Sequence, residues 1–310
     1  MNNIVFLDGG LGQEINKLSF NRKSHPLWSL KVMYDQPEIV LKVHLDFIQA
    51  GAKVLSLNNY TATLPRLTKY GDPERFHQTH KLASTIMLEA IKTANIDREE
   101  IDVAGCLPPL VASYVSSEAL PFNESVMQYQ NLIMSQKENV DLFLIETMSN
   151  ISEAKAAISA LQTFGIPALV ALTISDDFSN TLRSGEKLEL AVEQLAEIGV
   201  SALMLNCSLP ESIDNALPIL AKSGLPFGAY GNRFKSVQEL TPGSTVDKLS
   251  AREDLSIKAY SEFVFRWIDI GATIIGGCCE IGPSYIRHLS GALKQSGYHL
   301  VSFRQSDIFN

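Results

Sequence analysis

Short apolar runs recur along the chain, separated by longer stretches in which apolar residues return every three or four positions. The runs fall at 4–8, 53–58, 101–106, 141–146, 168–173, 202–207, 226–230 and 273–277. Several, such as LFLI and ALVAL, are apolar almost throughout, which suits parallel strands covered on both faces. Helical periodicity fills the intervals 36–50, 74–95, 124–138, 152–164, 186–198, 211–223, 254–270 and 284–296. In the first of these, Val40, Val43, Phe47 and Ile48 share one face. Asp35 reads as its N-cap, Pro37 sits in its first turn and Gly51 closes it. Gly165, Gly199, Gly224 and Gly271 each follow a helical pattern and precede a strand, as C′ glycines do. Strand and helix alternating eight times predict a (β/α)8 barrel. A doubly wound open sheet is the alternative, but the three glycines of DGGLGQE lack the G-x-G-x-x-G spacing. Two segments, 9–35 and 231–253, are too long for tight loops. In a barrel both follow strands and lie on the catalytic face, as lids or rim loops.

Composition narrows the function classes. The 310 residues are 45% apolar and 19% charged, enough to bury a large core. A formal charge of −8 argues against a nucleic-acid partner, which calls for a basic excess. No apolar run reaches the length of a membrane span. The start, MNNIVFLDGG, lacks a basic n-region, so a cytoplasmic location is the default expectation. Four cysteines in such a chain are not a disulfide framework; they pack or they do chemistry.

Polar and reactive residues stand at the ends of most predicted strands: Asp8, Asn58, Asn59, Cys106, Glu146, Thr173, Asn206, Cys207, Asn232, Cys278 and Cys279. A barrel gathers these positions around one mouth. Cys207 follows the sixth strand, and Cys278 and Cys279 follow the eighth. Three converging thiolates would hold Zn2+ with an open fourth position. Three buried cysteines packed as small hydrophobes, or a vicinal disulfide between Cys278 and Cys279, are the alternatives that spacing alone leaves standing. Adjacent cysteines on a regular strand point to opposite faces, so the backbone must break there, with Gly276 and Gly277 giving the freedom. Zinc held by three thiolates carries formal charge −1 and suits activation of a substrate thiol better than of water. The six histidines (His25, His44, His77, His80, His288 and His299) form no metal-binding pair and read as surface or helix-face residues. Cys106 reads as a small buried strand residue and stays outside the metal set. Asp8 and Glu146 could accept hydrogen bonds from an ammonium group, and the glycine turn after Asp8 could hold a carboxylate. The competing readings are that Asp8 braces the 9–12 turn and that Glu146 pairs with a buried Arg or Lys.

The ordered set DGGLGQE (8–14), PLWS (26–29), HLDFIQAGA (44–52), LNNYTAT (57–63), ETM (146–148), LNCS (205–208) and GGCCE (276–280) resembles the homocysteine S-methyltransferase family. The order and spacing hold over about residues 4–292. The resemblance implies one TIM-barrel domain over 1–310, with Zn2+ on Cys207, Cys278 and Cys279. It implies that Asp8 and Glu146 contact the homocysteine amino group, that backbone around Gly9 and Gly10 lies near its carboxylate, and that Asn206 orders the site. The reaction implied is methyl transfer from S-methylmethionine or S-adenosylmethionine to homocysteine, giving methionine. Trp28, Asn59 and Tyr60 are the candidate donor-pocket residues. The betaine-dependent branch usually has Tyr after the strand-four Glu; here Thr147 stands there, weakening an aromatic cage for a trimethylammonium group. Glu280 departs from the small residue that often follows the cysteine pair. A betaine-type or other-acceptor methyltransferase and a different zinc enzyme are the alternatives. The partners implied are small molecules, with no nucleic acid or membrane, in a monomer or homodimer.

Overall fold

The computed structural model describes residues 2–20, 25–237, 240 and 249–308. Nine strands are present among them: β1 (Asn3–Phe6), β2 (Val54–Ser56), β3 (Asp102–Leu107), β4 (Leu142–Met148), β5 (Ala168–Leu172), β6 (Ala202–Asn206), β7 (Phe227–Tyr230), β8 (Ile274–Ile275) and β9 (His299–Val301). The first eight run parallel in sequence order, and β8 pairs with β1 through Val5–Ile274 and Phe6–Ile275. A parallel bridge from Leu7 to Val54 closes the ring, with the Asp8 N–H on the Val54 carbonyl at 3.0 Å. This is the (β/α)8 barrel that the alternation predicts. All eight expected strands form, each end within two residues of its predicted position.

The eight crossover helices also form. In chain order the helices are α1 (Leu11–Leu18), α2 (Trp28–Asp35), α3 (Pro37–Ala50), α4 (Leu64–Tyr70), α5 (Phe76–Thr93), α6 (Phe122–Gln136), α7 (Ile151–Leu161), α8 (Leu188–Ala196), α9 (Pro210–Ala221), α10 (Ile257–Ile270) and α11 (Pro283–Gln295). The periodicity did not reveal α1, α2 and α4, which are short and sit on the mouth side. The long 9–35 segment is therefore partly helical. Of the 231–253 segment, residues 238–239 and 241–248 lie outside the described residues; Phe234 and Ala251 form an antiparallel bridge across its base. Asp35 does not cap α3. It is the last residue of α2, and Gln36 takes the cap position without a side-chain bond. Gly51, Gly165, Gly199, Gly224 and Gly271 all have positive φ, as expected of helix-terminating glycines.

Two apolar layers result. Inside the ring, Leu142, Leu144, Leu169, Ala171 and Met204 pack with Val5, Leu7 and Ile274. Outside it, the strands' other faces meet the inner faces of the helices. The N-terminal end of the barrel is stoppered. β9 pairs with the start of β1, and Phe303 enters the inner layer at 1% exposure. Burying such a ring is worth roughly 1.5–3 kcal/mol. Arg304 then reaches Asp102 at the foot of β3 through both its backbone N–H and its Nε. The cavity that holds the strand-end residues lies at the opposite, C-terminal end.

Candidate active site

The three cysteines converge at that open end. β6 stops at Asn206, and Cys207 adopts φ 47°, which swings its side chain over the mouth. β8 is only two residues long, and the chain then turns: the Ile281 N–H donates to the Cys278 carbonyl at 3.0 Å, and Glu280 takes φ 64°. The side chains of Cys278 and Cys279 no longer alternate, so both sulfurs face one point. The left-handed residue that makes this turn is Glu280. Gly276 and Gly277 serve a different need from the expected one. A Cβ on Gly276 would lie 2.6 Å from Leu7 Cβ, and one on Gly277 would lie 2.2 Å from Ile281 Cγ2. They allow close packing of the turn, not an unusual φ.

Cys207 and Cys278 are joined through their sulfurs. Cys279 Sγ lies 3.6 Å from Cys207 Sγ and 4.0 Å from Cys278 Sγ. Thiolates at about 2.3 Å around a tetrahedral zinc would stand about 3.8 Å apart. Two of the three edges already match that figure, and reduction of the Cys207–Cys278 link frees the third. The donor set therefore fits a metal ion such as Zn2+, which the three sulfurs would hold beside the cavity. Two residues unremarked in the sequence brace it. The Tyr114 hydroxyl donates to Cys207 Sγ at 3.0 Å, and the Gln13 side chain lies beside Cys279. Arg183 stacks over the Tyr114 ring at 5.3 Å and is itself paired with Asp176 at 3.2 Å.

Across the mouth stand Asp8 and Glu146. Asp8 accepts the Ser56 backbone N–H at 2.8 Å and its hydroxyl at 3.2 Å, and does not brace the 9–12 turn. Glu146 accepts the Cys106 thiol at 2.9 Å, and no Lys, Arg or His among the described residues lies within ion-pair reach of either acid. Burial pushes both carboxyls up to about 7, against the hydrogen bonds they accept. For Glu146 the neighbouring Asp8 charge adds to the rise. Glu146 is aimed by a break in β4: the register shifts after Ile145, and Thr147 adopts φ 61°. Asn206 locks that break, accepting the Thr147 N–H at 3.1 Å and donating to its hydroxyl at 2.9 Å. Cys106, set aside on sequence grounds as packing, is buried but touches a site carboxylate.

Gly9 and Gly10 seat the first turn against the cysteine turn. A Cβ on Gly9 would lie 2.2 Å from the Ile281 carbonyl oxygen, and one on Gly10 would lie 2.7 Å from that of Cys278. The Gly10 N–H is spent on the Ile281 carbonyl at 2.9 Å, so it is not free for a substrate carboxylate. A cavity of about 230 Å³ joins the sulfurs, the two acids, Trp28 and Tyr60. The Tyr60 hydroxyl bonds Ser113 Oγ at 2.7 Å, and burial keeps the phenol protonated. Asn59 is not part of this wall. Its Nδ2 donates to Gln136 Oε1 at 2.7 Å and to His80 Nδ1 at 3.0 Å, behind the strands. The same Gln136 oxygen takes the Cys106 N–H at 3.0 Å, so Asn59 supports β3 from outside. His80 and His44 are buried on the inner faces of their helices, where desolvation lowers them to about 4 and about 3.

A family model described as homocysteine S-methyltransferase matches residues 5–293. The chain belongs to the homocysteine S-methyltransferase family. Similar relatives include homocysteine S-methyltransferase 1 of Brassica oleracea var. italica, 26% identical over 93% of each chain. Another is the selenocysteine methyltransferase of Astragalus bisulcatus, 25% identical over 97% of this chain and 94% of that one. Among solved structures, the homocysteine methyltransferase MmuM from Escherichia coli in its metallated form is 24% identical, with a TM-score of 0.77. It aligns over 93% of this chain and 96% of that one. Its oxidized form is 25% identical, also at 0.77. The match extends through both ends of this site, from Asp8 to Cys279.

Proposed function

We propose that this member of the family transfers a methyl group from a sulfonium donor to the thiol of homocysteine, yielding methionine. The observation that carries this reading is one cavity with three convergent sulfurs on one wall and two cation-lacking carboxylates on another. Homocysteine has a thiol at one end and an ammonium at the other, so the two walls complement it. Cys207, Cys278 and Cys279 would hold Zn2+, and zinc in such a site favours the thiolate form of a substrate thiol at neutral pH.

The chain's own residues do the rest. Asp8 and Glu146 orient the acceptor by taking hydrogen bonds from its ammonium, which offsets the burial of both carboxylates. Asn206 and Tyr114 are positioning residues, the first for Glu146 through Thr147 and the second for Cys207. The cavity wall formed by Trp28 and Tyr60 shields the donor from water. The transfer is an in-line displacement: an acceptor S–CH3 bond forms as the donor C–S bond breaks, and its electron pair stays on the leaving sulfide. The thiol proton is released to solvent when the thiol is bound as thiolate. No covalent enzyme intermediate is required, and the barrier is lowered chiefly by alignment.

S-methylmethionine is the favoured donor, because Thr147, where the betaine-dependent branch usually has Tyr, weakens an aromatic cage for a trimethylammonium group. The test uses reduced protein with homocysteine and S-methylmethionine, S-adenosylmethionine or betaine, reading methionine formed and zinc bound. We expect about one zinc per chain, turnover highest with S-methylmethionine, and loss of both metal and turnover in Cys207→Ser, Cys278→Ser and Cys279→Ser. Full turnover in zinc-free reduced protein would overturn the metal assignment, and a clear preference for betaine would overturn the donor assignment.

A further inference from the structure

Among the described residues, Arg66 is the one charged group of the cavity wall that the reaction above does not use. It sits in the first turn of α4, which Thr63 caps by accepting the Arg66 backbone N–H at 3.3 Å. Its side chain is fixed from one edge, with Nη2 donating to the Pro109 carbonyl at 2.8 Å and to Ser113 Oγ at 3.3 Å. The guanidinium lies 5.4 Å from the Tyr60 ring centre. The residue is 8% exposed, lines the cavity, and its Nε is buried without an acceptor. No carboxylate among the described residues pairs with it. Glu153, the acid in its neighbourhood, spends Oε1 on the Leu110 N–H at 2.9 Å. A guanidinium stays charged under all ordinary conditions. Burying one without an anion is unfavourable unless a ligand brings the anion. Other arginines packed into this fold show the contrast: the Arg183 side chain, 8% exposed, pairs with Asp176, and the half-buried Arg304 pairs with Asp102.

Two further observations say which anion. The uncompensated acids Asp8 and Glu146 ask for a cation in the same cavity. Also, of the two backbone N–H groups expected near a carboxylate, those of Gly9 and Gly10, the Gly10 one is already spent on Ile281. An α-amino acid carries an ammonium and a carboxylate on one carbon, and this wall offers the complement to both. We infer that Arg66 anchors the carboxylate of an amino-acid substrate. Resting on the reaction proposed above, two substrates could bring it, homocysteine or the sulfonium donor, and the test separates them.

Calorimetric titration of the reduced, zinc-loaded protein compares two ligand pairs that differ only by the carboxylate. One pair is L-homocysteine and 3-aminopropane-1-thiol; the other is S-methylmethionine and (3-aminopropyl)dimethylsulfonium. Wild type should favour the carboxylated member of one pair by about 10- to 100-fold, the range of a charge-assisted hydrogen-bonded contact. Arg66→Gln should erase that ratio for that pair alone, Arg66→Lys should restore part of it, and the other pair should be unmoved. The responding pair names the substrate that Arg66 holds. An unchanged ratio in Arg66→Gln, equal losses across all four ligands, or no carboxylate preference in wild type would overturn the assignment. Turnover is read separately. If the carboxylate signature appears but no donor yields methionine, the methyl-transfer reading falls and the Arg66 assignment stands.

Discussion

The two ends of the barrel treat buried charge in opposite ways. At the closed end every buried acid has a cation. Asp102, fully buried, is paired with Arg304, and Asp141 takes Arg98 at 2.6 Å and Arg304 at 3.3 Å. At the open end the buried Asp8 and Arg66 and the half-buried Glu146 stand without an opposite charge in ion-pair range, although the cavity holds both signs. The closed end is complete as a structure. On the reading proposed here, a zwitterionic substrate completes the open end. Charge left uncompensated inside a fold thus marks where a substrate belongs, and charge compensated inside it marks a brace.

Substitutions should separate the two ends. The largest effect is expected from Glu146→Gln, which should lower kcat/KM about 100- to 1000-fold, mainly through KM for homocysteine. The same change should raise the Tm of the free protein. The sign follows from the raised carboxyl: the folded state holds an extra proton between about pH 4.5 and about 7, so the native acid favours folding below that window and loses that contribution above it. At pH 8 the variant should melt roughly 2–5 °C higher, with no gain at pH 4. A lower Tm at pH 8 would place Glu146 among the braces. Wild-type KM for homocysteine should rise as pH falls below about 7, since both acids then take protons.

Arg304→Ala should do the reverse. It strands Asp102 and should cost about 2–4 kcal/mol of stability, read by urea titration. Activity per folded molecule should stay within about twofold, and a large fall in kcat with unchanged stability would show that the two ends are coupled. The smallest effect is expected from Asn206→Ala. It releases the Thr147 turn without touching substrate, so kcat/KM should fall about 10-fold through the misplaced Glu146. Asn206→Asp should recover part of that loss, because its carboxylate can still accept the Thr147 N–H; no recovery would rule out positioning through that bond.

Much of this was legible in the sequence because it is repeated. The alternation of apolar strands and amphipathic helices is written eight times, so errors at any one end do not alter the topology. The cysteines and acids were legible because they fall at strand ends. What was missed lacks periodicity. β9 and Phe303 form a three-residue strand and a single ring, whose partners lie at the far end of the chain. The helices α1, α2 and α4 are too short for a periodic signal, though Thr63, Pro65 and Gly71 do bracket α4. Asn59 and Tyr60 are neighbours in sequence, yet one faces the outer network and the other the cavity; only the backbone path past β2 decides which. Arg66 carried no signal at all, because lacking a partner is a property of the folded surroundings, as is the contact that makes Cys106 relevant.

The stopper at the closed end has a consequence for synthesis. Phe303 and Arg304 are translated about 200 residues after Asp102, the acid they cover. Until that segment has emerged from the ribosome, the nascent chain can wind its wall but cannot seal it, and Asp102 lacks its partner. Final closure of the barrel therefore waits for a segment synthesised about 200 residues after the acid that it covers.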